Sequence, residues 1–260
     1  MLTERTCDGS MGCVDGALIV VDTSHLTFLA RGALALVESA GAAVLDVFHR
    51  LVRAMSCWSD RLRTSPLVFD NQVACDPEDS VVHETLGVHE MEPAFEWVPM
   101  IQKSDELLAH HYRARAAAAG PETEEHDLEL IGYAAASATS NDVYLVSNDE
   151  KLLTTANTLV DRLNQSGDGP PHAFVPIDSI GLMKRLLNCA GIDGEIMAVL
   201  LITEYQDVVE RPMNQRTRLK KVRRLESAAR ELSIDVHGAP DPENDADLRT
   251  FFLEWEENQS

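Results

Sequence analysis

Ala17 to Val21 form an unbroken apolar run that stops abruptly at Asp22, Thr23 and Ser24. A run this short and this rich in β-branched residues predicts a buried strand with a polar group at its carboxyl end. From Thr27 to Leu62 the apolar positions Leu34, Val37, Val44, Leu45, Val47, Phe48, Leu51 and Val52 recur at helical spacing. They predict two helices divided at Gly41. Leu67, Val68 and Phe69 then read as a second strand ending at Asp70, and the residues from Asp76 to Leu86 as a helix start capped by Asp79 or Ser80. Residues 85–125 give one clear element, a helix over Leu107–Ala119 closed by Gly120 and Pro121. Beyond it the pattern predicts a helix beginning near Glu124, a strand at Val143–Val146 and a helix over Glu150–Leu163. Gly167 to Pro171 form a loop before a last strand around Ala173–Ile177.

Strands alternating with helices predict an α/β domain on a parallel sheet. Such sheets bind ligands at the carboxyl ends of their strands. Two of the predicted strands end there in aspartate-bearing segments, Asp22-Thr23-Ser24 and Ser147-Asn148-Asp149. After residue 180 the pattern turns wholly helical, over Ile180–Cys189, Ile192–Val209 and Arg216–Leu232. The organisation expected is a disordered leader at 1–16, an α/β domain at 17–180, a helical extension at 181–238 and an acidic tail at 239–260.

Composition narrows the function. The 260 residues are 45% hydrophobic and 25% charged, which excludes a chain disordered throughout. Acidic residues number 43 against 22 basic ones, a formal charge of −21, and this excludes a nucleic-acid binder working through bulk positive charge. Aromatic residues are 5% of the chain, which argues against a base-stacking platform. The lysines are only Lys103, Lys151, Lys184, Lys220 and Lys221. An acidic, lysine-poor chain suits a salt-loving (halophilic) cytoplasm, where self-repulsion is screened; an ordinary acidic protein is the alternative. Cys7, Cys13, Cys57, Cys75 and Cys189 are odd in number and lack CxxC spacing, against a disulfide framework or structural zinc. No apolar run approaches the roughly 18 residues of a membrane span, and the first residues lack an apolar signal core. A soluble cytoplasmic protein with no membrane partner is expected.

The strongest constellation is a set of carboxylates at the predicted sheet edge. Asp22 follows the first strand and Asp149 the strand at 143–146; Asp127 opens the helix between, and Glu84 lies on the helix after residue 76. Acids converging in one cleft repel each other unless a cation neutralises them. Oxygen-only ligation suits Mg²⁺ or Mn²⁺, which activate water and stabilise charge on phosphodiester oxygens. The plain alternative, with 43 acids in the chain, is surface charge; the placement relative to strands raises the set above it.

Ile19-Val20-Val21-Asp22-Thr23-Ser24, Asp127 to Ala136 and Val143 to Leu153 together resemble the PIN domain, a family of metal-dependent ribonucleases that includes toxins and RNA-processing nucleases. The resemblance covers residues 17–180 and is most specific over 127–153. It implies a three-layer α/β/α domain on a parallel sheet and an endoribonuclease that leaves a 5′-phosphate. Its metal ligands would be Asp22, Glu84, Asp127 and Asp149. Ser147 would support Asp22 by hydrogen bonding, with Asn148 beside it orienting the ligands. Glu84 lies farther from the first aspartate than in compact members, and Asp70 competes for its place. A long extension is foreign to compact toxins and favours a processing nuclease.

Other motifs carry less. His83-Glu84 and His89-Glu90 lack the spacing of a zinc protease helix. Asp22-Thr23-Ser24 lacks the second aspartate of a phosphoaspartate enzyme. His110-His111 reads as a solvated helix face, and Cys57 and Cys75 as small core residues. The stretch 211–224 gathers Arg211, Arg216, Arg218, Lys220, Lys221, Arg223 and Arg224. It reads either as an RNA-backbone contact or as a solvated helix paired with Glu210, Glu226 and Glu231. The alternative to an active enzyme is a PIN-like scaffold that has lost turnover and binds RNA or a protein partner. The C-terminal helices would then carry that partner or a homodimer contact.

Overall fold

The computed structural model describes residues 17–37, 42–56, 62–87, 98–104, 106–187, 192 and 194–232. The expected leader at 1–16 and tail at 239–260 lie outside them, as do Gly41, Cys57 and Cys189. Five strands, β1 (Leu18–Val21), β2 (Leu62–Thr64), β3 (Ile101–Lys103), β4 (Val143–Val146) and β5 (Phe174–Ile177), form one sheet in the order β3-β2-β1-β4-β5. Every pairing is parallel, with Ile19 beside Leu62 and Tyr144, and Val143 beside Phe174. The α/β class expected from alternating strands and helices is the class observed.

Ten α-helices surround the sheet among the described residues: α1 (Thr23–Ala35), α2 (Ala42–Ser56), α3 (Pro66–Val68), α4 (Val81–Leu86), α5 (Glu106–Ala119), α6 (Glu125–Ser137), α7 (Glu150–Ser166), α8 (Ser179–Leu186), α9 (Gly194–Glu210) and α10 (Gln215–Glu231). The central strands are buried on both faces, and their side chains divide by alternation. Leu18, Val20, Val143 and Leu145 join α5, α6 and α7 in one apolar cluster. Ile19, Val21, Tyr144 and Val146 join α1, α2, α4, α8, α9 and α10 in the other. Helix layers thus cover both faces of the sheet.

The extension is built into the second cluster. Ile196, Met197, Leu200, Leu201, Tyr205 and Val208 of α9 are buried in the same core as Phe28 and Leu29 of α1. The two helices approach so closely at Gly32 that a Cβ there would meet Leu200 Cδ2 at 2.2 Å. Arg31 of α1 bonds Asp207 and stands 3.8 Å from the buried Glu204 of α9. No helix of the described residues is long and apolar enough to cross a membrane.

Two expectations need correction. Leu62 does not end a helix; it opens β2. Leu67, Val68 and Phe69 are not a strand: they lie in α3 and the π-helical turn Phe69–Val73 that continues it. The reason is local. Ser65 accepts a hydrogen bond from Val68 N–H, and Pro66 at the first helical position fixes the backbone for a helix. Strand β3 was not foreseen at all. Ser80, one of the two caps proposed for α4, accepts from His83 N–H at 3.2 Å, and Gly87 closes the helix at φ 69°.

Candidate functional site

The chain leaves β1 towards β2 and β3, then returns on the other side of β1 as β4. The crossovers diverge between β1 and β4, and a crevice at such a switch point is where α/β sheets place their ligands. Asp22 leaves β1 at this point and Ser147, Asn148 and Asp149 leave β4.

Both aspartates are helix N-caps, Asp22 for α1 and Asp149 for α7. Capping alone accounts for an acid after a strand, and Asp178 after β5 is such a cap, bonded by Gly181 N–H at 2.6 Å. Asp22 differs. It is buried, and one of its oxygens, Oδ2, accepts from Ser24 N–H at 3.3 Å, Ser24 Oγ at 2.7 Å and Ser147 Oγ at 2.9 Å. Ser24 Oγ accepts in turn from Asn148 N–H at 2.8 Å, and Ser147 Oγ from Asp149 N–H at 2.9 Å. The ends of β1 and β4 are laced together around a single carboxylate oxygen. Asp149 Oδ1 accepts from Lys151 and Leu152 N–H at 2.6 and 3.1 Å. In each acid the second oxygen has no hydrogen bond among the described residues.

Asp127, in the first turn of α6, is buried, and its Oδ1 lies 3.3 Å from His126 Nε2. Its carboxyl is pushed up from 3.8 to about 6, chiefly by burial; His126 pulls the other way, and the charges of Asp22 and Asp149 push it further up. The structure therefore brings Asp22, Asp127 and Asp149 within electrostatic reach of one another. Glu84 is exposed on α4, with no hydrogen bond or ion pair to the three aspartates among the described residues. Asp70 is exposed and paired with Lys103 of β3 at 2.5 Å. His110 is exposed, as expected, while Cys75 is only half-buried.

The raised group gives a first expected result. A carboxyl with a raised pKa binds its proton more tightly in the folded than in the unfolded chain. Its contribution to stability is therefore full below about pH 4 and lost as pH rises through about 6. In metal-free buffer Asp127→Asn is expected to be more stable than the parent at pH 7 by about 1 kcal/mol. The gap should close below about pH 4. Urea denaturation from acid to neutral pH in chelator measures it; a variant weaker than the parent at pH 7 contradicts the assignment.

A divalent cation fits these residues in kind. Two carboxylates, Asp22 and Asp149, each with one oxygen held by hydrogen bonds and one left without, beside a third at Asp127, offer the hard oxygen ligands that Mg²⁺ or Mn²⁺ prefers. Among the described residues, however, no three His, Cys, Asp or Glu side chains form a metal-sized group.

Sequence reading missed the brace behind the site. Asn148 Oδ1 accepts from Ser179 N–H at 3.1 Å. Ser179 Oγ lies 2.8 Å from His25 Nδ1, and His25 Nε2 lies 3.0 Å from Met55 Sδ. Burial lowers His25 to about 3, so the ring is neutral at physiological pH. A thioether only accepts, which puts the ring proton on Nε2 and makes Ser179 the donor to Nδ1. The basic stretch pairs with other acids than Glu226 and Glu231, which bond Arg230 and Lys184 instead. Lys220 pairs with Glu150 and Arg224 with Asp178 at 3.0 Å, gripping the α/β domain, while Arg230 pairs with Glu226 along α10. Arg216 and Arg223 are exposed and Arg218 is half-buried.

Comparison of the chain with family models, with curated proteins and with solved structures gave no match in any of the three.

Proposed function

We propose that this protein is a metal-dependent endoribonuclease in which Asp22, Asp127 and Asp149 hold Mg²⁺ or Mn²⁺, with Glu84 the candidate fourth ligand. The observation that carries the reading is the buried Asp127 carboxyl raised to about 6 beside two further aspartates at the switch point of a parallel sheet. A set of charges that opposes its own ionisation is relieved by a cation. Once bound, such an ion supplies an activated water and neutralises charge on a phosphodiester. The chain's part is orientation. Ser24 and Ser147 hold Asp22 Oδ2 and leave Oδ1 for a ligand, the α7 amides do the same for Asp149, and Asn148 ties β4 to Ser24. The PIN-like residues at 19–24, 127–136 and 143–153 support RNA as the substrate and a 5′-phosphate on the product.

A second reading has its own observation. With no metal-sized group of three ligands among the described residues, the chain suits a PIN-like scaffold that binds RNA or a protein partner without turnover. Incubating an end-labelled single-stranded RNA with the protein and Mn²⁺, at low and at molar salt, separates the two. Cleavage abolished by chelator and by Asp149→Asn, with 5′-phosphate ends, is expected. Neither cleavage nor Mn²⁺ binding by calorimetry would leave the scaffold.

A further inference from the structure

The sheet continues past the acid edge to β5, where α10 meets its carboxyl end. Between β5, the first turns of α7 and α10 runs a groove of about 420 Å³ lined in part by Asn148, Lys220, Lys221 and Arg224. The acids in its wall are already engaged. Glu150 pairs with Lys220; Asp178 caps α8 and pairs with Arg224 Nη1. Lys221 is in no ion pair among the described residues. Two buried nitrogen donors of groove residues, Asn148 Nδ2 and Arg224 Nε, have no hydrogen-bond partner among the described residues. Buried donors are rarely left so, and those of the groove point to an acceptor that the described residues do not supply.

We infer that the groove is a subsite for a backbone phosphate of a bound single-stranded nucleic acid. A phosphate offers several anionic oxygens, enough to take a lysine, an arginine and an amide together. No aromatic ring is among the lining residues, so backbone rather than base is held. Lys220 is 69% exposed in its pair with Glu150, and an exposed pair of this kind yields easily to a polyanion. Asn148 joins the subsite to the acids: its backbone N–H bonds Ser24 beside Asp22, and the residue is among those lining the groove. The subsite deepens the ribonuclease reading and rests on it for what the held strand is used for.

The test is fluorescence anisotropy of a labelled oligouridine with the full chain in chelator, where no cleavage intervenes. Lys221→Glu is expected to weaken binding roughly tenfold or more, with Lys221→Arg restoring it. Arg50→Glu on α2 makes the same change in net charge and is expected to leave binding within about twofold. Circular dichroism checks that each variant is folded. Equal effects of Lys221→Glu and Arg50→Glu overturn the subsite, as does loss of binding in Arg216→Glu and Arg223→Glu but not in Lys221→Glu. Binding of inorganic phosphate, followed by calorimetry, with none of the strand overturns it too and leaves a small phosphate ligand. If the parent never cleaves RNA but the Lys221 contrast holds, the ribonuclease reading falls and the subsite stands. If it cleaves and the contrast is absent, the subsite alone falls.

Discussion

Asp22→Asn is expected to lower Mn²⁺-dependent cleavage of single-stranded RNA by at least about a hundredfold while the protein stays folded. Asparagine caps a helix as well as aspartate does, so α1 keeps its first turn. One amide oxygen can still accept from Ser24 and Ser147. What it cannot provide is a second, anionic oxygen: the oxygen left without a hydrogen bond in Asp22 becomes a neutral NH₂ group that repels a cation. The melting temperature should therefore move little and the rate a great deal. Asp22→Ala adds the loss of the cap, worth about 1 kcal/mol, and separates the structural from the chemical part of the residue's role. A variant that cleaves RNA as the parent does would remove Asp22 from the site.

Ending the chain after Leu187 is expected to abolish folding of the α/β domain. Burial of a large apolar side chain contributes roughly 1.5–3 kcal/mol. Six such side chains of α9 lie in the core with α1, and their combined contribution rivals the roughly 5–15 kcal/mol by which whole domains are stable. Truncation also strips Arg31 of Asp207 and Glu204 and uncovers the strip of α1 at Gly32. Sedimentation and near-ultraviolet circular dichroism of the shortened chain check this. A monomer that unfolds cooperatively at the parent's temperature would show instead that the chain to Leu187 folds without α9 and α10.

Strands β1 and β4 were legible because they are buried and read as continuous apolar runs, and half-buried β5 because Phe174 to Ile177 is such a run too. Strands β2 and β3 were not: Leu62-Arg63-Thr64 and Ile101-Gln102-Lys103 are too short and too polar to stand out, and Gln102 and Lys103 are exposed at the sheet's edge. Leu67-Val68-Phe69 misled because apolar runs of that length do not distinguish strand from helix; the signal lay in the Ser-Pro pair before them. At the site, Asp22, Ser147 and Asp149 could be found since each adjoins a strand end, and Asp127 since the crossover returns it to the same edge. The contacts joining His25 to Ser179, and α10 to Glu150 and Asp178, span long stretches of chain and leave no local trace. They follow from packing, which no periodicity encodes.

The sulfur of Met55 ends a line of bonded groups that begins at the Asn148 amide. An interior thioether thereby stands at the far end of the contacts that hold Ser179, the residue whose N–H bonds the Asn148 side chain. Oxidising that sulfur to its sulfoxide replaces a soft acceptor with a strong, bulkier one and disturbs the imidazole, the hydroxyl and the amide in turn. Oxidative damage to this interior methionine would thus reach the candidate site at the sheet edge without touching any acidic residue.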